Sequence, residues 1–376
     1  MYSIRIVAAI SLLASLAAGA QAQDPAISLV RMETDGNFLV EEGKPPAIDI
    51  SGMGCVPVQG DIRTCLVIND ENKAAQFAVI GKDGIAVGGP IPLIGNKPDP
   101  KTFGSAPNET CNKVDDFADL DGEGVAYAAP FFYVVGSHGC GRTKNKFRES
   151  SFILARVRVD AQARPVDPSG RLLEEKEFAS AVETTYRVSD LLKASPVVAG
   201  FFAKDLEGAN GLNIEGVAVD GDQIWFGLRG PVTPDTRKPE AIGDRAFIVG
   251  GSVADLFSKN PSSTAPTLKS FDLSGLGIRD LAMLPDKRLL ILAGAGHGKE
   301  VLFKLYVADP IKETVKPIGT LATVIGPGKK GKIATGKAEG VTLLDVAGDA
   351  ASAVILFDGI ADGSPHLAKF AIPGPD

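Results

Sequence analysis

The chain has 376 residues, 44% of them hydrophobic and 23% charged, which supplies a sizeable core and excludes a disordered segment. Its 39 Lys and Arg against 46 Asp and Glu give a formal charge of −7, a balance that disfavours nucleic acid and anionic membrane as partners. Length alone would suggest two or more domains, but the internal repeats described below favour one.

The first 22 residues read as a secretory leader. Arg5 gives a positive n-region, Ile6 to Ala18 is almost unbroken apolar sequence, and Ala20-Gln21-Ala22 has the small-x-small cleavage pattern, so the mature chain is expected to begin at Gln23. The apolar run is shorter than the roughly 20 residues that span a bilayer. No second long run follows it, and no anchoring Cys follows the cleavage site. A periplasmic or secreted protein with no membrane span in the mature chain is expected.

Five short cassettes then recur: Ser51-Gly52-Met53-Gly54, Glu123-Gly124-Val125-Ala126, Glu215-Gly216-Val217-Ala218, Arg279-Asp280-Leu281-Ala282 and Glu339-Gly340-Val341-Thr342. Each leads into an apolar strand that stops at a polar turn, at Asn69-Asp70, Ser137-His138, Leu228-Arg229, Ala293-Gly294 and Phe357-Asp358. The cassettes lie 72, 92, 64 and 60 residues apart, which suits four-stranded blades with loop insertions. An all-β fold is expected: a single β-propeller over residues 23–376. The third repeat is the clearest, with Val217 to Val219, a hairpin signal at Asp220-Gly221-Asp222, Ile224 to Leu228, Ala246 to Val249 and Thr267 to Leu273. Third strands elsewhere are Gln76 to Ile80, Phe152 to Val159, Val301 to Val307 and His366 to Ile372.

The fifth repeat runs out of chain after its third strand. Ile27 to Glu33, apolar and strand-like, is expected to supply the missing fourth strand and close a five-bladed ring without open edges. Six blades is the alternative, because the 92-residue gap has room for one more. An insertion around residues 160–210, with a short capped helix at Ser189 to Lys193, accounts for that gap in the five-blade reading.

Four cysteines in an exported chain predict two disulfides. Cys55 and Cys65 lie on adjacent arms of one hairpin; Cys111 precedes the second cassette and Cys140 follows the strand that this cassette starts, near the same end of a blade. Four free buried thiols are the alternative. No CxxC pattern is present to suggest zinc or redox use.

In an up-and-down meander the start of the first strand and the end of the second share one sheet edge. Asp70, Glu71, Glu123, His138, Glu215, Arg229, Arg279, Asp280, Glu339 and Asp358 are therefore expected on one face, around the central channel, and His297 and His366 also fall in or beside second-to-third-strand loops. Two readings stand open for Glu123, Glu215 and Glu339: acceptors for backbone N–H groups of the next blade, or site carboxylates held together by Arg229, Arg279 or a metal. Asp115 to Glu123 is an acid-rich run in which Asp119, Asp121 and Glu123 form the best calcium candidate, although the full spacing of a calcium loop is missing and solvated charge is the competing reading. His138 is a candidate base or ligand beside a half-cystine, or else a structural loop histidine.

Gly326 to Lys332 satisfies G-x-x-x-x-G-K, but Ile333 stands where Ser or Thr would hold magnesium, so a loop with a basic spot of Lys329, Lys330 and Lys332 is expected instead. Neither a G-x-S-x-G elbow nor an H-E-x-x-H motif occurs.

Asn213 to Val219 followed by Ile224 to Pro231 resembles an exported bacterial family known only as a domain of unknown function (3616 type). The likeness extends to Asp49-Ile50-Ser51-Gly52 with Asn69-Asp70-Glu71, Gly136-Ser137-His138, Gly277 to Ala282 and Lys337 to Gly340, and so covers most of the mature chain. It implies no activity. More distantly the E-G cassettes are similar to phytase-like and esterase-like propellers, some of which handle phosphate esters with calcium. Two functions are accordingly expected to compete. One is a monomeric propeller that binds a small ligand or partner protein at the cassette face, without nucleic acid. The other is a calcium-dependent phosphoester or ester hydrolase using Glu215, Arg229, Glu339 and His138, with Asp70, Glu123, Arg279, Asp280 and Asp358 as ligand contacts.

Overall fold

The computed structural model describes residues 24–39, 46–107, 111, 113–114, 117–141, 146–262, 265–298 and 302–375; the leader, Asp115, Asp116 and Val301 lie outside them. Five antiparallel sheets form a ring of five blades. Blade 1 comprises Ile50–Cys55, Arg63–Asn69, Ala74–Gly81 and Gly84–Pro92. Blade 2 has Gly122–Ala128, Phe131–Gly136, Leu154–Arg158 and Val182–Thr185. Blade 3 has Asn213–Asp220, Gln223–Gly230, Ala246–Ser252 and Thr267–Phe271. Blade 4 has Gly277–Met283, Leu289–Gly294, Lys304–Asp309 and Thr314–Leu321. Blade 5 has Lys337–Ala347, Ala350–Asp358 and His366–Ala371, completed by Leu29–Arg31. Every cassette starts an innermost strand.

Closure goes further than one borrowed strand. Leu29–Arg31 pairs antiparallel with His366–Ala371, while Ala26–Ile27 runs parallel to the outer strand of blade 4 and Thr34–Asp35 parallel to that of blade 1. Ten extended residues reach about 33 Å, enough to cross three neighbouring outer edges. The N-terminal segment is thus a strap over blades 4, 5 and 1.

The five-blade count holds because the long gap between the second and third cassettes contains no further blade. Blade 2's own fourth strand, Val182–Thr185, lies inside the segment expected to be inserted, preceded by turns and a 3-10 helix over Glu175–Ala181. The helix after it spans Arg187–Ala194, two residues earlier than expected, and its N-terminus has no side-chain cap: Ser189 is buried within it. Packing of Val188 and Leu192 against the blade 2 and 3 core holds this turn in place of a cap.

The core lies between blades, since both faces of each sheet are covered by neighbours. One buried apolar cluster joins blades 1 to 3, and others join blades 3 and 4, 4 and 5, and 5 and 1. At the centre the inner strands approach so closely that the cassette glycine is a packing requirement. A Cβ on Gly124 would stand 2.9 Å from the Glu215 carbonyl oxygen, and one on Gly216 would stand 2.8 Å from the Leu281 nitrogen. Blade 4 has Asp280 at this position, and its carboxylate turns the approach into bonding: the Val341 N–H of blade 5 donates to Oδ2 at 2.7 Å and Leu281 N–H to Oδ1 at 2.8 Å. The backbone-acceptor role considered for the glutamates therefore belongs to Asp280.

Both disulfides form as expected, Cys55 to Cys65 between directly opposed residues of the blade 1 hairpin and Cys111 to Cys140 beside blade 2. The G-x-x-x-x-G-K stretch is the turn of an exposed two-stranded ribbon, Ile325–Pro327 with Ile333–Thr335, as a loop reading requires. Among the described residues no helix is long and apolar enough to cross a membrane.

Candidate functional site

The first residue of every cassette is a β-bulge. In blade 3 Ile214 pairs with Leu228 and Gly216 with Gly227, which leaves Glu215 unopposed; the same register shift leaves out Ser51, Glu123, Arg279 and Glu339 in the other four blades. A bulge adds one residue to one strand, bends it and re-aims the side chain. Five bulges at one level therefore present a ring of Ser51, Glu123, Glu215, Arg279 and Glu339 at one end of the channel. The last two residues of each cassette and the residue that follows them line a cavity of about 110 Å³ in the channel.

Across blades 3, 4 and 5 the ring is neutralised by a chain of buried ion pairs. Arg229 Nη1 lies 2.9 Å from Glu215 Oε1, Arg279 Nε lies 2.9 Å from Glu215 Oε2, and Arg279 Nη2 bonds Glu339. Arg229 Nε also donates to the Gly296 carbonyl at 3.0 Å. Glu215, Arg229 and Arg279 are each at most 6% exposed, so the chain has little contact with water. Burial and the Asp358 carboxylate still push Glu339 up to about 7, against the pull of Arg279. Asp358 in turn pairs with Lys337 at 2.8 Å.

Blades 1 and 2 are different. Glu123 is part-buried, and burial together with Glu215, Asp121, Glu339 and Asp70 holds its carboxyl well above the usual range. Burial and the carboxylates of Asp121, Asp49, Glu339 and Asp358 do the same to Asp70. Asp49, facing Glu71, is pushed up to about 7 by burial and by the Glu71 and Asp358 charges. Burial is the largest cause of all three shifts, and the carboxylates gathered around each group add to it.

A cleft of about 390 Å³ opens over this half of the ring, lined by Asp70, Glu71, Asp119, Asp121 and Glu123 with Lys146, Arg148, Asn213 and Arg229. Arg148 is bonded to Asp119 and lies 3.6 Å from Asp121, which also accepts the Ser137 hydroxyl. A guanidinium thus lies beside both aspartates proposed as calcium ligands. Among the described residues no three carboxylates, histidines or cysteines are grouped so as to hold a metal ion. Two acceptors in the cleft wall lack donors: Asp70 Oδ1 and Asn213 Oδ1, the latter on a residue only 8% exposed.

The structure brings together most of the residues expected at the cassette face, in two groups. Glu215, Arg229, Arg279 and Glu339 form the ion-pair chain; Asp70, Glu71, Asp119, Asp121 and Glu123 line the cleft. His138 stands apart. It is fully buried, burial pushes it down to about 4, and Nδ1 lies 2.9 Å from the Gly136 carbonyl oxygen, so it packs as a neutral ring against Phe152. Asn213 and Arg148 were missed by sequence reasoning. Asn213 opens the segment that carries the third cassette, while nothing periodic in the sequence before Arg148 signals its contact with Asp119.

Residues 107–366 match the family described as "Protein of unknown function (DUF3616)". No curated protein matches the sequence. Among solved structures the chain is similar to the alpha-L-arabinofuranosidase of Podospora anserina, with 9% identity over 92% of this chain and 98% of that one and a TM-score of 0.43. Kuenenia stuttgartiensis hydrazine synthase shares 12% identity over 86% of this chain and 66% of that one, with a TM-score of 0.34. Bombyx mori beta-fructofuranosidase shares 9% identity over 86% and 60%, with a TM-score of 0.35. None of these similarities bears on the chemistry of the cleft.

Proposed function

The chain belongs to the DUF3616 family, whose description assigns no activity, and from that premise we propose that it is an exported propeller that binds a small ligand in the cleft between blades 1, 2 and 3. The observation that carries this reading is a concave, polar cleft with two unsatisfied acceptors, Asp70 Oδ1 and Asn213 Oδ1, in its wall. Buried polar groups without partners are uncommon in folded proteins, and a ligand that satisfies them gains what folding alone does not. Two disulfides and the apolar leader support export to an oxidising compartment.

A calcium-dependent hydrolase draws less support. Its proposed metal ligands Asp119 and Asp121 share Arg148, and its proposed catalytic groups Glu215, Arg229 and Glu339 are tied into buried pairs. A thermal-shift screen of amines, polyols, organic acids, phosphate esters and calcium tests the ligand reading. At least one class should raise the melting temperature, and Glu71→Trp, which fills the cleft mouth from an exposed position, should abolish that rise. Hits that bind Glu71→Trp equally well would place the site elsewhere. Calcium binding accompanied by turnover of an aryl phosphate would favour the hydrolase instead.

A further inference from the structure

Building on the ligand site just described, we propose that its ligand is a small organic cation, an amine or guanidinium compound that donates hydrogen bonds to the carboxylates of blades 1 and 2. The first argument is the charge distribution. Among the described residues five carboxylates line the cleft against three bases, and those bases are committed: Arg148 to Asp119 and Asp121, Arg229 to Glu215, while Lys146 already has a partner. Arg279 spans Glu215 and Glu339 on the far side of the ring. Glu123 occupies in blade 2 the bulged position that Arg279 occupies in blade 4, and its neighbours in the ring are Ser51 and Glu215. Among the described residues the ring has a cation for its blade 3 to 5 half and none for its blade 2 position.

The second argument is independent of charge. Asn213, 8% exposed, and Asp70 each present an unsatisfied acceptor oxygen in the cleft wall. An anion would add to the negative charge and leave these two acceptors unmet. A neutral polyol would meet the acceptors but leave the carboxylates uncompensated. An ammonium or guanidinium group answers both needs, and its bonds to carboxylates belong to the stronger, charge-assisted kind.

The test uses agmatine, which carries a guanidinium and an amine, with sorbitol as neutral polyol and inorganic phosphate as anion, by calorimetry on the mature protein at pH 7. Agmatine should bind and the other two should not. Glu123→Gln should weaken agmatine at least about tenfold, as expected for loss of a charged partner, with Asp70→Asn as a second variant and circular dichroism as the check on folding. Sorbitol or phosphate binding in place of agmatine, blocked by Glu71→Trp, would overturn the cation assignment and leave the ligand site standing. Agmatine binding unchanged in both folded variants would also overturn it. Failure of all three probes to bind would count against both readings.

Discussion

The two halves of the channel mouth are built on the same backbone plan and differ in charge. On the blade 3 to 5 side, the bulged residues Glu215, Arg279 and Glu339 alternate in sign, and Arg229 adds a second cation to Glu215. On the blade 1 to 2 side, Ser51 and Glu123 occupy the same bulged positions, and the surrounding loops add Asp49, Asp70, Glu71 and Asp121. One half is ion-paired and closed to water; the other is acid-rich and opens into a cleft. A repeat fold fixes where side chains converge, whereas individual substitutions decide what they can do there.

The sharpest way to break this contrast is to remove the cation that creates it. Arg279→Met should leave Glu339 without its guanidinium partner and Glu215 with Arg229 alone, at a cost of about 3–5 kcal/mol, because an uncompensated buried charge is worse than none. Chemical denaturation measures this directly, and a loss below about 1 kcal/mol would mean that the ion-pair chain is not what stabilises this half. Packing, by contrast, should not distinguish the halves. Gly124→Ala and Gly216→Ala each drive a Cβ to 2.9 Å or less from the backbone of the next blade, so both should lose about 1–3 kcal/mol. Gly89→Ala, with nothing within 4 Å, is the neutral control.

The sequence made the ring legible and obscured the difference between its halves. Cassette spacing identified five inner strands, and the antiparallel meander placed Asp70, Glu123, Glu215, Arg279 and Glu339 at one end. The strap was visible only in part: Ile27 to Glu33 reads as one edge strand, and its parallel flanks to blades 4 and 1 depend on ring geometry that no local pattern encodes. The bulges were not seen, since a single extra residue leaves hydrophobic alternation nearly intact. The partition of charge was also hidden, because Arg148 reaches Asp119 from a loop 29 residues downstream. For His138 the sequence left two readings open, base or ligand against structural loop histidine, because a turn residue carries no local sign of the burial that Phe152 and the surrounding core impose.

The acid-rich half makes a subtler prediction, about pH. For Asp49, held at about 7 against an ordinary 3.8, and for Asp70 and Glu123, also raised, the folded protein keeps protons that the unfolded chain has released. Through these carboxyls the folded state binds more protons between about pH 4 and 7, and their contribution to stability falls as pH rises through that window. His138, pushed from 6.5 down to about 4, works the other way between about pH 4 and 6.5, whereas Asp235, which Arg237 and Ser270 hold at about 2 against the effect of burial, loses its contribution only in stronger acid. The melting temperature should accordingly be higher near pH 6.5, above the His138 window, than at pH 8, by roughly 1–2 °C after allowance for solvent screening around the part-exposed Asp49. Glu123→Gln should flatten this slope and raise stability at pH 7 by about 0.5–1 kcal/mol, since it removes one member of a repelling group without emptying space. A flat profile in the wild type, or an unchanged slope in the variant, would mean that cations compensate this half as fully as Arg229 and Arg279 compensate the other. A stabilised variant would identify Glu123 as a residue held at some expense to the fold, as binding groups commonly are.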